Sequence, residues 1–291
     1  MCVKKDLIIV RGAGDISTGI IYRLHRAGFS VLALETERPS AIRREVAFSE
    51  AVYDGRKEVE GVTAVRIQKP QEAESVLTEA DAVWKAADDV WKAGGVPVLV
   101  DPAGSCIREL RPKVVVDAIL AKRNTGTNRD MAPLTIALGP GFTAGDDVDY
   151  VIETMRGHDL GRIISRGPAM PNTGVPGLIA GFGRERVIYA PAAGTFTAAH
   201  KIGDTVRGGE PIGSVLGEDT ENGPVPVCAQ IDGILRGVLR DGYPVRKGMK
   251  AADVDPRREE YKNCFTISDK ARCIAGSVLE LVCRNMCYDK R

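Results

Sequence analysis

The stretch Leu7-Ile8-Ile9-Val10-Arg11-Gly12-Ala13-Gly14-Asp15-Ile16-Ser17-Thr18-Gly19 decides how the first third of the chain is read. Leu7 to Val10 is a continuous apolar run, the pattern of a strand buried on both faces. A glycine turn comes next, then an amphipathic helix with Ile20, Ile21, Leu24 and Ala27 on its inner side. Gly28 closes that helix, and Ser30-Val31-Leu32-Ala33-Leu34-Glu35 reads as a second strand ending in a carboxylate. This order of strand, glycine turn, helix and strand is the context in which a glycine motif binds phosphate. Gly12 permits the tight turn, Gly14 lets backbone approach a phosphate, and the helix start offers N–H groups with partial positive charge. Ser17 and Thr18 add hydroxyls, and Glu35 lies 21 positions after Gly14, where an acid for a ribose hydroxyl is expected. Gly12, Gly14, Asp15, Ser17, Thr18 and Glu35 are therefore candidate cofactor-binding residues for a nucleotide. Two features depart from the pattern: Ser17 replaces the third glycine, with Gly19 two residues later, and Asp15 places a carboxylate in the loop. The plainer alternative is a scaffold of the same shape that binds something else or nothing.

Further strands are expected at Ala47–Tyr53, Gly61–Ile67, Val96–Val100 and Val114–Leu120, with a helix over Pro70–Ala93. Ligands in such sheets sit at the carboxyl ends of the strands. Asp101, Lys122 and Asn124 would share that rim with the first glycine loop. Another apolar run, Pro133 to Leu138, ends in Gly139-Pro140-Gly141-Phe142-Thr143-Ala144-Gly145. A second glycine loop can form an anion-binding nest of N–H groups, so Gly139 and Gly141 join the candidates. Arg156, His158 and Arg162 lie close behind and suit a phosphate, pterin or oxyanion. His158 is a candidate general acid or base, since a free imidazole titrates near neutral pH. Asp101, Lys122 and Cys106 complete the catalytic candidates, Cys106 as a sulfur or selenium relay.

Composition narrows the classes. The 291 residues predict two or three domains. With 40 Lys+Arg against 39 Asp+Glu, and 5% aromatic residues, neither a phosphate-tracking surface nor a base-stacking platform is expected, so no nucleic acid partner. No apolar run nears the roughly 18 residues that span a bilayer, and the start, Met1-Cys2-Val3-Lys4-Lys5-Asp6, lacks a leader's long apolar core. A cytoplasmic protein with free thiols is expected, because the seven cysteines follow no disulfide or zinc spacing, even with Cys283 and Cys287 at i, i+4. The three histidines show no metal-ligand spacing, so no metal is expected.

The last third carries an internal repeat. Ala190, Gly194, Gly203, Val206, Arg207 and Gly209 recur 39 positions later as Ala229, Gly233, Gly242, Val245, Arg246 and Gly248. Two short β units that share one core are implied. The pattern resembles the biotinyl/lipoyl domain, a barrel-sandwich hybrid whose protruding hairpin holds a modified lysine. Gly217 to Val225, between the copies, has no lysine, so no covalent biotin or lipoate is expected. Ser268 is a good N-cap for a last helix whose stripe Ile274, Val278, Leu281 and Val282 fits core or a homodimer contact.

Taken together, several motifs resemble one family. They are Arg11-Gly12-Ala13-Gly14-Asp15, Tyr22 to Gly28, Val98-Leu99-Val100-Asp101-Pro102, Asp117 to Asn124, Gly139 to Gly145, Val151 to His158 and Pro171 to Gly177. The chain resembles YqeB-type proteins of the selenium-dependent molybdenum hydroxylase system. The resemblance implies an accessory role in maturation of that hydroxylase, the client partner, with a small anionic ligand. The expected fold class is α/β. It comprises a Rossmann-like parallel sheet over 1–128, a mixed glycine-loop region over 129–184, a biotinyl/lipoyl-like barrel-sandwich over 185–256 and a helix over 257–291. An NAD-type nucleotide or molybdopterin nucleotide would sit in a cleft between the glycine loops. An NAD-dependent oxidoreductase acting on a small anion and a non-catalytic scaffold for the client are the alternatives.

Overall fold

The computed structural model describes residues 6–69, 78–217 and 223–288. The N-terminal Met1–Lys5, the first part of the expected helix, at 70–77, and most of the inter-repeat segment, at 218–222, lie outside the described residues. The chain forms two compact units. One comprises Met1–Pro39, Ala47–Asn172 and Ile267–Arg291, the other Ser40–Val46 and Thr173–Thr266.

In the first unit the order begins β1 (Leu7–Arg11), α1 (Asp15–Arg26) and β2 (Ser30–Glu35), then α2 (Ala51–Asp54), β3 (Arg56–Val59) and β4 (Val62–Ile67). It continues with α3 (Glu79–Lys92), β5 (Val96–Val100), α4 (Ile107–Leu110), β6 (Val114–Asp117) and β7 (Leu134–Leu138). After these come β8 (Thr143–Ala144), β9 (Tyr150–Ile152), β10 (Ile163–Ile164) and β11 (Gly167–Pro168). Sequence chemistry accounts for the helix ends. At the end of α1 the Phe29 amide donates to Leu24 O and the Gly28 amide to His25 O, a Schellman close made by Gly28 at φ +93°. Thr78 caps α3 by accepting from the Asp81 amide at 3.2 Å.

Nine strands form one sheet in the order β10-β9-β7-β6-β1-β2-β5-β4-β3. Leu7, Ile9, Leu32, Leu34, Leu99 and Val115 pack with Val83 and Ala87 of α3 and Ile107 and Leu110 of α4. Each such side chain buried contributes about 1.5–3 kcal/mol. Alternate residues Ile8 and Val10 turn to the opposite face and are fully buried. The last helix of the chain, α5 (Asp269–Tyr288), belongs to this unit. Ser268 Oγ accepts from the Ala271 amide at 3.2 Å, and Ile274, Val278, Leu281 and Val282 are all fully buried.

The second unit contains β12 (Val187–Tyr189), β13 (Gly194–Ala198), β14 (Thr205–Val206), β15 (Pro211–Leu216), β16 (Val225–Cys228), β17 (Gly233–Val238), β18 (Tyr243–Val245) and β19 (Lys250–Asp255). The 39-residue offset carries β13 onto β17 and β15 onto β19. Two four-stranded antiparallel sheets result, β12-β19-β17-β14 and β16-β15-β13-β18, and each draws strands from both copies. Phe196, Val206, Ile212 and Val215 share one core with Leu235, Val238, Val245 and Val254. Residues 40–46 tie into this unit, where the Val238 amide donates to Ile42 O at 2.8 Å and Arg44 Nε to Val238 O at 2.8 Å.

The expected fold class needs correction in both parts. The large sheet is mixed and not a Rossmann-like parallel sheet: β3 runs antiparallel to β4 and β10 antiparallel to β9. Between β2 and β5 the chain inserts a hairpin, whose turn Glu60-Gly61 has φ +48° and +77°, as a primed turn requires. The repeat region is a pair of open antiparallel sheets with a strap from residues 40–46, not a biotinyl/lipoyl-like barrel-sandwich. Period and turn chemistry mark where strands are, but partner choice between copies is a tertiary outcome. Two local expectations also change. Of Ala47–Tyr53, all but the extended Ala47 is helical, with a 3-10 turn at Phe48–Glu50 running into α2. The strand expected over Val114–Leu120 ends at Asp117, because the chain turns through Leu120 and Lys122, both at φ +60°.

Candidate functional site

β1 lies between β2 and β6; β5 and β4 extend the sheet on one side, β7 and β9 on the other. The order of the chain thus reverses between β1 and β6, and the crevice above their carboxyl ends is where open α/β sheets bind ligands. The first glycine loop forms one wall. Gly12 sits at φ +96°, and a Cβ there would stand 2.9 Å from Ala118 O, so only glycine lets this turn meet the loop after β6. Ser17 Oγ donates to Ala118 O at 3.2 Å, and Thr18 Oγ1 donates to Ala13 O at 3.2 Å while accepting from the Phe48 amide at 2.9 Å. Both candidate hydroxyls therefore brace the crevice. Glu35 is likewise engaged: its carboxylate accepts from the Ala13 and Thr36 amides, each at 2.8 Å. Burial pushes Glu35 up from its ordinary 4.5, and those amides pull against the shift. Gly14 caps α1 at φ −69°, and a Cβ on it would meet nothing within 4 Å. Gly19 has a different use from a phosphate contact: a Cβ there would stand 2.8 Å from Ala271 Cβ, so it admits α5 beside α1.

Beneath the loop lies a buried polar cluster to which the sequence reading assigned no role. Arg11 and Asp117 close β1 and β6, each 2% exposed, with 3.7 Å between Nη1 and Oδ2. Thr127 Oγ1 accepts from Arg11 Nη1 and donates to Asp117 Oδ2 at 2.5 Å. Arg11 Nη2 donates to Pro102 O at 3.0 Å. Burial pushes Asp117 up, opposed by Thr127, the Ile119 amide and Arg11. The signal was available: a charge ending each of two apolar strands. Asn124 belongs to the brace around this cluster. Its Oδ1 accepts from the Gly126 and Thr127 amides at 2.8 and 2.9 Å, and its Nδ2 donates to Thr127 O.

Asp101 ends β5 and forms another group. It is 4% exposed and accepts from Ser105 Oγ and the Cys106 amide, both at 2.9 Å. Burial alone would raise its pKa, but the hydrogen bonds from Cys106 and Ser105 outweigh it and hold Asp101 low. Lys69 Nζ donates to Ser105 Oγ at 2.9 Å and stands 3.8 Å from Asp101 Oδ1. Cys106 is buried, and burial, then Asp101, pushes its thiol far above the ordinary range, the environment of an inert cysteine. Lys122 is exposed beyond the end of β6.

The second glycine loop comes directly after β7. A Cβ on Gly139 would stand 2.3 Å from Thr154 Oγ1, and one on Gly141, at φ +105°, 2.5 Å from the Arg123 backbone. Three of its amides already have acceptors. Gly139 N donates to Ile152 O at 2.8 Å, Thr143 N to Asp147 Oδ2 at 2.7 Å and Gly145 N to Val148 O at 2.8 Å. Beyond β9, Glu153 is buried and accepts from the Met155 and Met170 amides at 2.7 and 2.8 Å. Arg156 makes a two-pronged pair with Asp269 at 2.8 and 2.9 Å. His158 is exposed. Lys270, absent from the sequence candidates, feels Arg156 on one side and Asp15, Glu153 and Asp269 on the other. Burial, then Arg156, pushes its pKa down. Nothing local marks Lys270, because only the packing of α5 on α1 brings it to the rim. Among the described residues no cluster of three or more His, Cys, Asp or Glu is arranged to hold a metal. No described helix is long and apolar enough to cross a membrane.

No protein-family model matches the chain. Solved structures that align with it include a succinylglutamate desuccinylase/aspartoacylase from Rhodobacter sphaeroides, at 16% identity over 87% of this chain and 86% of that one, TM-score 0.28. Another is the ectoine utilization protein EutE from Ruegeria pomeroyi, at 11% identity over 86% of this chain and 85% of that one, TM-score 0.29. These are of the desuccinylase/aspartoacylase kind, not of the Rossmann and biotinyl/lipoyl kinds expected; at such scores the likeness carries no argument, and the correction rests on the sheet topology. The chain is also 50% identical over 275 residues, 94% of its length, to "Uncharacterized protein YqeB" of Escherichia coli (strain K12). It is a homologue of YqeB and spans about half, 47%, of that relative's length.

Proposed function

We propose that the protein is an accessory factor in the maturation of a selenium-dependent molybdenum hydroxylase and binds an anionic cofactor, a nucleotide or molybdopterin nucleotide, at the carboxyl-end rim. The YqeB resemblance supplies the role. The observation that supports the ligand is that Asp15, which opens α1, and Arg156 both act electrostatically on Lys270, with Glu153 and Asp269. Helix-start N–H groups attract a phosphate, and Lys270 would give it a cation. A bound phosphate would raise the Lys270 pKa again. Gly14 and the first turn of α1 would hold the phosphate, with Arg156 exchanging Asp269 for it. A dinucleotide oxidoreductase has less support, because the Glu35 carboxylate is committed to the Ala13 amide.

Native mass spectrometry on protein purified anaerobically from its own cells, with elemental analysis for molybdenum and selenium, tests this reading. A pterin nucleotide that is lost in Gly14→Asp and Lys270→Gln supports it. Hydroxylase activity in cells that stays at wild-type level with both variants refutes it. The scaffold reading keeps one specific observation: Val175, Leu178 and Phe182 are exposed at 55%, 75% and 38%. It predicts client binding that survives Gly14→Asp and is lost in Leu178→Asp.

A further inference from the structure

A cavity of about 630 Å³ opens in the first unit. Arg111 and Lys113 precede β6 and Pro133 precedes β7, so it reaches the amino ends of these strands, and it extends to Gly104, past the carboxyl end of β5. Its volume is that of a small-molecule site. Three cations, Arg108, Arg111 and Lys113, line it with a single carboxylate, Asp130. The side chains of these three cations make no hydrogen bond or ion pair to the described residues. Other surface cations of this unit do pair: Arg129 with Asp149, Arg162 with Asp159 and Arg272 with Glu60.

Two further observations point inward. Arg111 caps α4 at φ +48°, a left-handed conformation that L side chains seldom adopt and glycine fills without cost. Behind the wall, Arg11 is 2% exposed and its Nε lacks a hydrogen-bond partner. Gly104 lines the cavity there, and a Cβ on it would stand only 3.6 Å from that Nε. The remaining lining includes Ile107 and Met131, an apolar surface beside the charge.

We propose that this cavity binds a small organic phosphate ester, its phosphate held by Arg108, Arg111 and Lys113 and its organic part against Ile107 and Met131. Three cations against one carboxylate leave two positive charges, which match a phosphate dianion better than a monocarboxylate. Guanidinium forks fit phosphate oxygens two at a time. The inference is independent of the proposed function, since none of Gly14, Arg156 and Lys270 lines the cavity.

Calorimetric titration of the full chain with phenyl phosphate, inorganic phosphate and phenol tests it. Phenyl phosphate is expected to bind one to one, about tenfold or more tighter than inorganic phosphate, because the ring gains apolar burial. Binding should weaken with added salt, and phenol should not bind. Arg111→Gly should weaken phenyl phosphate about tenfold or more while the melting temperature holds or rises, since glycine relieves the backbone. Lys113→Gln should weaken binding without touching the backbone, and Arg207→Gln in the second unit serves as the charge control. Absence of phenyl phosphate binding overturns the inference. So does binding unchanged in both cavity variants, an equal loss in Arg207→Gln, or phenol binding as well as its ester.

Discussion

The two glycine loops sit at equivalent strand ends in one sheet, yet they do different jobs. The loop after β1 opens a twelve-residue helix, so the N–H groups of its first turn are left without helical acceptors. The loop after β7 opens no helix; it turns into the two-residue β8, and the Gly139, Gly145 and Thr143 amides are taken by Ile152, Val148 and Asp147. Its glycines serve close approach, Gly141 to the Arg123 backbone and Gly139 to Thr154. A glycine cluster at a strand end thus says that backbone comes near something. The element next in the chain, helix or strand, decides whether N–H groups without backbone acceptors remain beside it.

The contrast between the loops can be broken most directly at Gly141. Gly141→Ala meets a backbone at 2.5 Å with φ +105°, and is expected to cost about 3 kcal/mol or more in urea unfolding. A cost under about 1 kcal/mol would mean that the second loop can move aside and serve a ligand after all. Asp147→Ala removes the acceptor of the Thr143 amide and should cost about 1–2 kcal/mol by the same measurement. On the first loop, Gly14→Ala meets no atom within 4 Å at an ordinary φ, so stability should change by less than about 1 kcal/mol. Gly14→Asp should hold or raise stability by capping α1 and complementing its dipole, while abolishing anion binding at the rim. A variant that still binds the anion would remove the functional distinction between the loops.

Two strand-end carboxylates sharpen the picture through pH. Glu35, raised by burial, contributes stability that is fully present below its ordinary 4.5 and is lost as pH rises through its higher folded value. Asp101, held low by Cys106 and Ser105, contributes stability present above its ordinary 3.8 and lost as pH falls through its lower folded value. Unfolding of Glu35→Gln and Asp101→Asn across the acid range should therefore give wild-type-minus-variant differences of opposite slope. Equal slopes would show that the Ala13 amide, not burial, governs Glu35.

Much of the local structure was legible. β1, α1 with its Gly28 close, β2, β5 and the Ser268 cap of α5 all follow from apolar runs and cap residues. The 39-residue offset anticipated matching strands from β13 to β19. The site was less legible. Ser17, Thr18, Asn124 and Glu35 have side chains that bond to backbone groups inside the unit. A sequence cannot tell a hydroxyl that faces a ligand from one that faces a carbonyl across a crevice. The Arg11–Asp117 pair and Lys270 depend on strands and helices far apart in the chain.

What the sequence determined alone is what short-range physics determines: which segments are apolar enough to be strands, where glycine lets helices stop, and that the last third is duplicated. Only the tertiary structure decided strand partners. It set β3 and β10 antiparallel at the edges, exchanged strands between the repeat copies, and brought α5 to α1 through the Gly19–Ala271 contact. The reason is that propensity and caps act over a few residues. Pairing is chosen by which arrangement buries the most apolar surface with every backbone group satisfied, and that sum runs over the whole chain.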